Sequence, residues 1–230
     1  AGRSLPSVPL REAPAVQVIF DNLPVFWGGF LMTLQLTIVS GFFATVIGAL
    51  IAVFRISPVA SLRSFATVYT EIVRCVPLTL VLFFCAVVLP ILGVDLPYLP
   101  LALIGLSVYT SPFVAEALRS GINGVALGQA EAARSLGLGF GQTVGLVVFP
   151  QAVRITIPPL INVFIALTKN TSIAGAFFVP ELFAAGRTLV NQNGNAVIAL
   201  LLGVAFFYLL ITVPLGQVAA HLERKVAVTR

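Results

Sequence analysis

Charge is the scarcest thing in this sequence. Only 9% of its 230 residues are Asp, Glu, Lys or Arg, 59% are hydrophobic, and the mean hydropathy is +1.07. Soluble domains carry about a quarter charged residues, so a water-soluble globular domain is excluded. A single His excludes a His-rich metal site. The two cysteines, Cys75 and Cys85, stand ten apart in one apolar segment. On one helix they would lie about 15 Å apart, beyond the reach of a disulfide, and they read as small apolar fillers. No G-x-x-x-x-G-K-[ST] loop, H-E-x-x-H helix or G-x-S-x-G elbow occurs. ATP hydrolysis, zinc proteolysis and serine-nucleophile chemistry by this chain are therefore excluded, and the chain reads as non-catalytic. The net charge is +5, yet the 13 Lys and Arg are scattered singly between apolar runs. No basic face forms, which argues against a nucleic-acid partner.

What the chain does have is long apolar runs. They fall at about residues 25–54, 65–92, 99–118, 155–179 and 196–220, and the first and last contain no charge. A span needs about 20 apolar residues. The expectation is an all-α membrane protein with five transmembrane helices, in a lipid bilayer. Pro58, Pro90, Pro97 and Pro100 sit at run ends, where helices should stop. Pro77, Pro158 and Pro159 lie within or near runs, where neighbouring helices or water can satisfy the freed carbonyls.

With the N-terminus outside, the inner segments hold Arg55, Arg63, Arg119, Arg134, Arg154, Arg224, Lys225 and Arg230. The outer segments hold Arg3, Arg11 and Arg187. Eight cations against three favours N-out and C-in by the positive-inside rule. Residues 1–24 read as an extracytoplasmic lead-in, 25–222 as the membrane domain, and 223–230 as a cytoplasmic tail. Within the lead-in, Val16, Ile19, Phe20 and Leu23 recur at helical spacing. This predicts a short interfacial helix over 14–27, with Trp27 at headgroup level. The run 15–20 is too short for a signal-peptide core and lacks a small-residue cleavage site. The start at Ala1 rather than Met reads as loss of a few residues.

The passage 120–152 is polar and Gly-rich, and in this topology it is cytoplasmic. Its segment EAARSLG, nine residues, then VVFP places Glu131, Ala132, Ala133, Gly137, Val147, Phe149 and Pro150 at fixed intervals. Good helix formers precede Gly137 and Gly139, which would end the helix in a left-handed turn. A second helix would run to Pro150, making a knob of two short helices. The pattern resembles the "EAA" loop of permease subunits in ATP-binding-cassette importers: EAA, three residues, G, nine residues, I-x-L-P. Val147 stands for Ile and Phe149 for Leu.

The resemblance covers roughly residues 20–220. Gly29, Thr33 and Leu34 match the family's G-x-x-x-T-L opening. YTEIVRCVPL, FVAEALRSGINGVALGQAEAA and FPQAVRITIPPLINVFIALTKNTSI are similar to segments of the polar amino-acid uptake group. Cys75 and Val76 replace a Gly-Thr pair there, and Asn170 stands where Asp is common. The resemblance implies a MetI-like (type I importer) transmembrane domain in a prokaryotic plasma membrane. It implies an ABC ATPase dimer as partner, docked on Glu131, Ala132, Ala133 and Gly137. It also implies an extracytoplasmic solute-binding protein and a second permease subunit, identical or related. No cofactor belongs to this chain itself; ATP and Mg would sit on the ATPase.

Ionisable residues within spans are expensive and usually functional. Glu71 and Arg74, and Glu116 and Arg119, are spaced i,i+3 and can pair on one helix face. They read either as local ion pairs or as a lining of the solute path. Lys169 has no acidic residue within a turn on its own helix, so it must meet a residue of another span, a water-filled cavity or a solute. Pairing with Glu71 or Glu116 is one option. Binding an amino acid together with Asn170, Thr171 and Ser172 is the other. Asn170 removes a negative charge, which disfavours cationic substrates and points to an acidic or amide amino acid, glutamate first. The competing reading is a secondary transporter or channel working alone. It predicts an internal repeat or coupling-ion carboxylates, and no clear repeat is present.

Overall fold

The computed structural model describes residues 15–228, with side chains described for 17–225. Arg3, Arg11, Arg230 and the side chain of Val16 lie outside the described residues. Among these residues the chain is entirely helical. We number the helices α1 (Ala15–Asp21), α2 (Leu23–Ile56), α3 (Ala60–Cys75), α4 (Leu78–Ile91), α5 (Tyr98–Asn123), α6 (Leu127–Ser135), α7 (Phe140–Phe177), α8 (Leu182–Gln192) and α9 (Val197–Val228). Four of them, α2, α5, α7 and most of α9, are long and apolar enough to cross a membrane.

The second apolar run is not one straight helix. α3 and α4 meet at 98° across Val76-Pro77. Pro77 has no N–H to continue the ladder and disfavours helical geometry at Val76, which is extended (φ −82°, ψ 132°). The pair can serve as a single broken span. Pro150, expected to end a helix, does not. The chain runs from Phe140 to Phe177 as one long helix, so only α6 stands as a separate short helix in the 120–152 passage. Pro90 does stand at a helix end, since α4 closes one residue later at Ile91. Widened π-helical turns precede both prolines, over Phe84–Val88 and Thr143–Val148. Such a turn draws aside the carbonyl four residues back, against which a proline ring otherwise clashes.

α2 is the central staff, and small residues let the other helices approach it. A Cβ added to Gly48 would lie 2.7 Å from both the Ser111 carbonyl oxygen and the Val114 Cβ of α5. One added to Gly29 would lie 2.8 Å from the Leu182 Cα of α8. Gly121 of α5 leaves room for Thr156 of α7 in the same way. Lipid tails are as apolar as Leu, so such close approach is what drives helices together in a membrane. Three apolar clusters follow α2 from end to end. The first joins Val18, Phe26, Leu182, Leu200 and Phe207. The second joins Leu36, Leu82, Leu106 and Leu167. The third joins Ile51, Ala52, Ala66 and Ala115. α1 is shorter than the helix expected over 14–27: it covers Ala15–Asp21, α2 starts at Leu23 and takes in Trp27, and α1 packs Val18 and Ile19 inward while Phe20 is exposed.

Gly48→Ala is expected to destabilise the protein by about 1–3 kcal/mol through overpacking. Gly28→Ala, where a Cβ meets nothing within 4 Å, should be neutral or stabilising by up to about 1 kcal/mol. Thermal unfolding of both variants in detergent checks the contrast.

Candidate functional sites on the helical bundle

α6 projects from the Asn123 end of the bundle. Its last turn closes as anticipated: Gly137 is left-handed (φ +83°), the Gly137 N–H donates to the Arg134 carbonyl at 2.9 Å, and the Leu138 N–H donates to that of Ala133 at 3.2 Å. Gly139 takes no part in that left-handed turn. Its φ is −66°, and its N–H donates to Gln142 Oε1 at 3.0 Å to start α7. Ala133 is buried against the bundle, whereas Glu131 and Ala132 are exposed. The large apolar side chains Leu127, Leu136 and Phe140 around them are more than four-fifths exposed. This is an apolar patch with a carboxylate in it, of the kind that marks a docking surface.

The charges within the long helices divide differently from the expectation. Glu116 pairs with Arg119 at 3.1 Å, as its spacing allowed, and also with Arg55 from α2. The carboxylate is thus held between two guanidiniums where α2 meets α5. Glu71 and Arg74 do not pair. Arg74 sits in the last turn of α3, at the break, and reaches instead over the Phe113 ring of α5, 5.6 Å from its centroid. Tyr109 packs against the same ring at 5.5 Å. Glu71 is exposed.

Lys169 is also exposed, and among the described residues it makes no ion pair with Glu71 or Glu116. Successive residues on a helix turn by about 100°, so the four consecutive polar residues separate. Ser172 lies one turn from Lys169, and its hydroxyl donates to the Lys169 carbonyl at 2.7 Å. Asn170 is half-buried. Thr171 is fully buried, with its hydroxyl donating to the Thr168 carbonyl at 2.7 Å. The structure therefore separates Thr171 from Lys169 and turns it toward the interior.

That interior holds a group the sequence reading passed over. Glu181 is completely buried between α7 and α8. It caps α8: its carboxylate accepts from the Phe183 N–H at 2.8 Å and the Ala184 N–H at 2.7 Å. The Tyr208 hydroxyl of α9 donates to it at 2.8 Å. Thr33 of α2 accepts from the Leu182 N–H at 3.2 Å, and the Thr33 and Thr171 hydroxyls lie beside Tyr208. Gly175 makes the space, since a Cβ there would collide with the Glu181 carboxylate. The favoured N-caps are Ser, Thr, Asp and Asn, so residue type did not mark Glu181 as the cap of α8. Nothing local announced the partners on α2 and α9.

The helical architecture, the exposed short helix and the charges buried among apolar spans define an integral membrane transport subunit. Residues 44–228 match the family described as binding-protein-dependent transport system inner membrane component, and the chain belongs to that family. It is an inner-membrane ABC transporter permease. It is 42% identical over 220 residues to the glutamate transport system permease protein GluC of Corynebacterium glutamicum, covering 90% of this chain and 95% of that one. It is 37% identical to the probable glutamine ABC transporter permease protein GlnM of Bacillus subtilis, covering 91% and 97%. Among solved structures, an amino-acid ABC transporter crystallised with histidines superposes with a TM-score of 0.85 at 27% identity, over 93% of this chain and 99% of that chain. The MetNI methionine transporter shares the fold, with a TM-score of 0.71 at 22% identity.

Glu181→Ala should cost about 3 kcal/mol. It removes a helix cap and leaves the Tyr208 hydroxyl and two N–H groups without their acceptor. Tyr208→Phe should cost about half as much, since the cap survives. Equal melting temperatures for Glu181→Ala and the parent in detergent would contradict this account of the buried carboxylate.

Proposed function

We propose that this chain is the permease subunit of an ATP-driven importer of a polar amino acid, with glutamate as the substrate. Two permease subunits, identical or related, form the path. A solute-binding protein delivers the amino acid at the outer face, and a separate ATPase dimer carrying ATP and Mg drives the cycle. The membrane domain is residues 25–222, with five spans in which α3 and α4 together form the second. The lead-in 1–24 lies outside and the tail 223–230 in the cytoplasm. α6, within the 120–152 passage, is the coupling element. Glu131 and Ala132 face the ATPase, Ala133 seats the helix on the bundle, and Gly137 fixes the angle of its exit.

The observation that carries the glutamate reading is the 42% identity to a glutamate permease across nine-tenths of the chain. The chemistry at Lys169 agrees with it. An exposed ammonium on a long apolar helix suits a carboxylate-bearing solute, and Asn170 and Ser172 offer neutral donors and acceptors beside it. Arg74 and Glu71, at the break in the second span, and the buried Thr171 behind the path complete the candidate residues. Glu116, held by Arg55 and Arg119, acts in this reading as a fixed tie at the inner end rather than as a solute ligand. Alternating access is a rocking of the two permeases, biased by the affinity of the ATPase dimer for each state.

Cells lacking competing carriers and expressing the complete transporter should take up labelled glutamate, and Lys169→Gln should reduce that uptake by at least tenfold. Preferential uptake of arginine or histidine would overturn the substrate assignment. For coupling, co-purification of the ATPase should be lost in Glu131→Lys and weakened in Gly137→Ala, which forces a side chain into a left-handed backbone at a cost of about 1 kcal/mol. Glutamate uptake by the purified chain without ATP would favour a secondary transporter instead.

A further inference from the structure

α3 shows three faces to three surroundings. Ala66 and Thr70 are buried against the bundle. Phe65, Val68 and Ile72, each more than half exposed, make an apolar face suited to lipid. Ser64, Thr67, Glu71 and Arg74 recur at three- and four-residue intervals on a third side, and all but the half-buried Thr67 are exposed. That polar side ends at the break before α4. Its depth follows from the contacts with α5. The Tyr69 hydroxyl donates to the Val108 carbonyl at 3.2 Å, and Arg74 lies over Phe113. Phe113 stands ten residues before the end of α5 at Asn123. That is about 15 Å along the axis, well inside a hydrocarbon layer of about 30 Å. Charged side chains at such a depth face a water-filled cavity or the interior of a bundle.

Two opposite charges meet this requirement without a partner in the protein. Glu71 and Arg74 are spaced i,i+3 yet do not pair, and among the described residues neither side chain makes an ion pair or a hydrogen bond. Arg74 is held by its ring contact instead, 5.6 Å from the Phe113 centroid. Stacking uses the flat face of a guanidinium and leaves its N–H edge open to grip a carboxylate at two points. Glu71, one turn back, offers a carboxylate to an ammonium. An anion and a cation held apart on one helix side complement a zwitterion, and every α-amino acid carries that pair of charges at its α-carbon.

We propose that Glu71 and Arg74 clamp these main-chain groups of the transported amino acid. Arg74 takes the α-carboxylate and Glu71 the α-ammonium. Phe113 is a positioning residue that holds the guanidinium flat, and Tyr109, 5.5 Å from the same ring, backs it. The clamp rests on the reading of this chain as an amino-acid importer permease. It does not rest on glutamate, since it ignores the side chain of the cargo.

A thiol already in the sequence reports on this spot. Cys75 is exposed and adjoins Arg74, whereas Cys85 is buried. In the assembled permease–ATPase complex in lipid nanodiscs, a water-borne sulfonated maleimide should modify Cys75, as read by mass spectrometry of its peptide, and glutamate should slow the reaction. γ-Aminobutyrate is glutamate without its α-carboxylate, and glutarate lacks the ammonium. Each should need at least about tenfold more for equal protection. R74Q should raise the glutamate required by about tenfold and leave γ-aminobutyrate unchanged. E71Q should raise it similarly and leave glutarate unchanged. A purely structural role would shift all the ligands together. If R74Q fails to assemble, R74K decides: it keeps the charge but loses the fork, and should still weaken protection by glutamate and not by γ-aminobutyrate. F113L should weaken it too, and F113Y should preserve it. Failure of Cys75 to react would put the polar side in a closed seam or in lipid and overturn the proposal. So would protection that R74Q and R74K leave unchanged, or a loss that γ-aminobutyrate shares. If the complex takes up glutamate but glutamate does not protect Cys75, the clamp falls and the importer reading stands. If uptake names another amino acid, the glutamate assignment falls, and the same comparison between that amino acid and its decarboxylated amine decides the clamp.

Discussion

The carboxylate of Glu181 is the point at which separate helices become one structure. A buried carboxylate must have partners, because its charge has no water to compensate it. Here the partners come from different places: two backbone N–H groups of α8, the Tyr208 hydroxyl of α9, and the threonines of α2 and α7 that surround that hydroxyl. Satisfying this one group fixes where the short helix α8 begins, how α9 is rotated, and how closely α7 approaches. Gly175 and Gly29 read as consequences of it. One clears space for the carboxylate, and the other lets the α8 backbone come near enough for Thr33 to accept from Leu182. Phe178, left-handed at φ 65°, turns the chain between α7 and the cap. That conformation is uncommon for a bulky residue, and it lies in the turn that carries the chain to the buried site.

The opposite end of the bundle uses the same logic with opposite charges. Arg55 and Glu116 come from different helices, and Arg119 closes the group. The Arg55 side chain is 15% exposed and that of Arg119 is 41% exposed. The desolvated member therefore depends most on the carboxylate, while water already compensates much of Arg119. Between the two polar ties the interfaces are made of Gly, Ala, Ser and Thr with threaded leucines. Polar ties fix register at both ends, and small residues set the distance in the middle.

Much of this was legible in the sequence because the bilayer leaves few solutions. Charge-free runs such as 25–54 have to be helices, and the EAA spacing marks α6 whatever surrounds it. The illegible parts are those in which a rule met its exception through a distant cause. Pro77 breaks a span while Pro150 does not, since a π-helical turn makes room for the latter, and no residue type signals such a turn. Arg74 meets the Phe113 ring of α5 rather than Glu71, a partner on another helix that the i,i+3 spacing does not reveal. Glu181 entered no expectation from the sequence, as its partner Tyr208 lies 27 residues ahead on another helix. Lys169 to Ser172 read as one polar cluster along the chain, although a helix distributes consecutive residues around its axis.

That distribution bears on what the exposed part of α7 faces. Asn162, Ala166 and Lys169 follow one another at four- and three-residue intervals, and all are exposed. They form a stripe of small and polar side chains on a helix otherwise rich in Ile, Val and Phe. Facing hydrocarbon, a lysine near the middle of a span would cost about 3 kcal/mol, and the asparagine would add to that. The helix does not avoid this by burying the stripe in its own chain, although it buries Thr168 and Thr171 one residue or two away. A stripe too polar for lipid and left open by the subunit fits the wall of a path or the seam with a second subunit. Small side chains at Ala166 and Ser172 permit close approach. The physics that places Glu181 inside the subunit, with every oxygen partnered, is thus the same physics that holds Lys169 outside it.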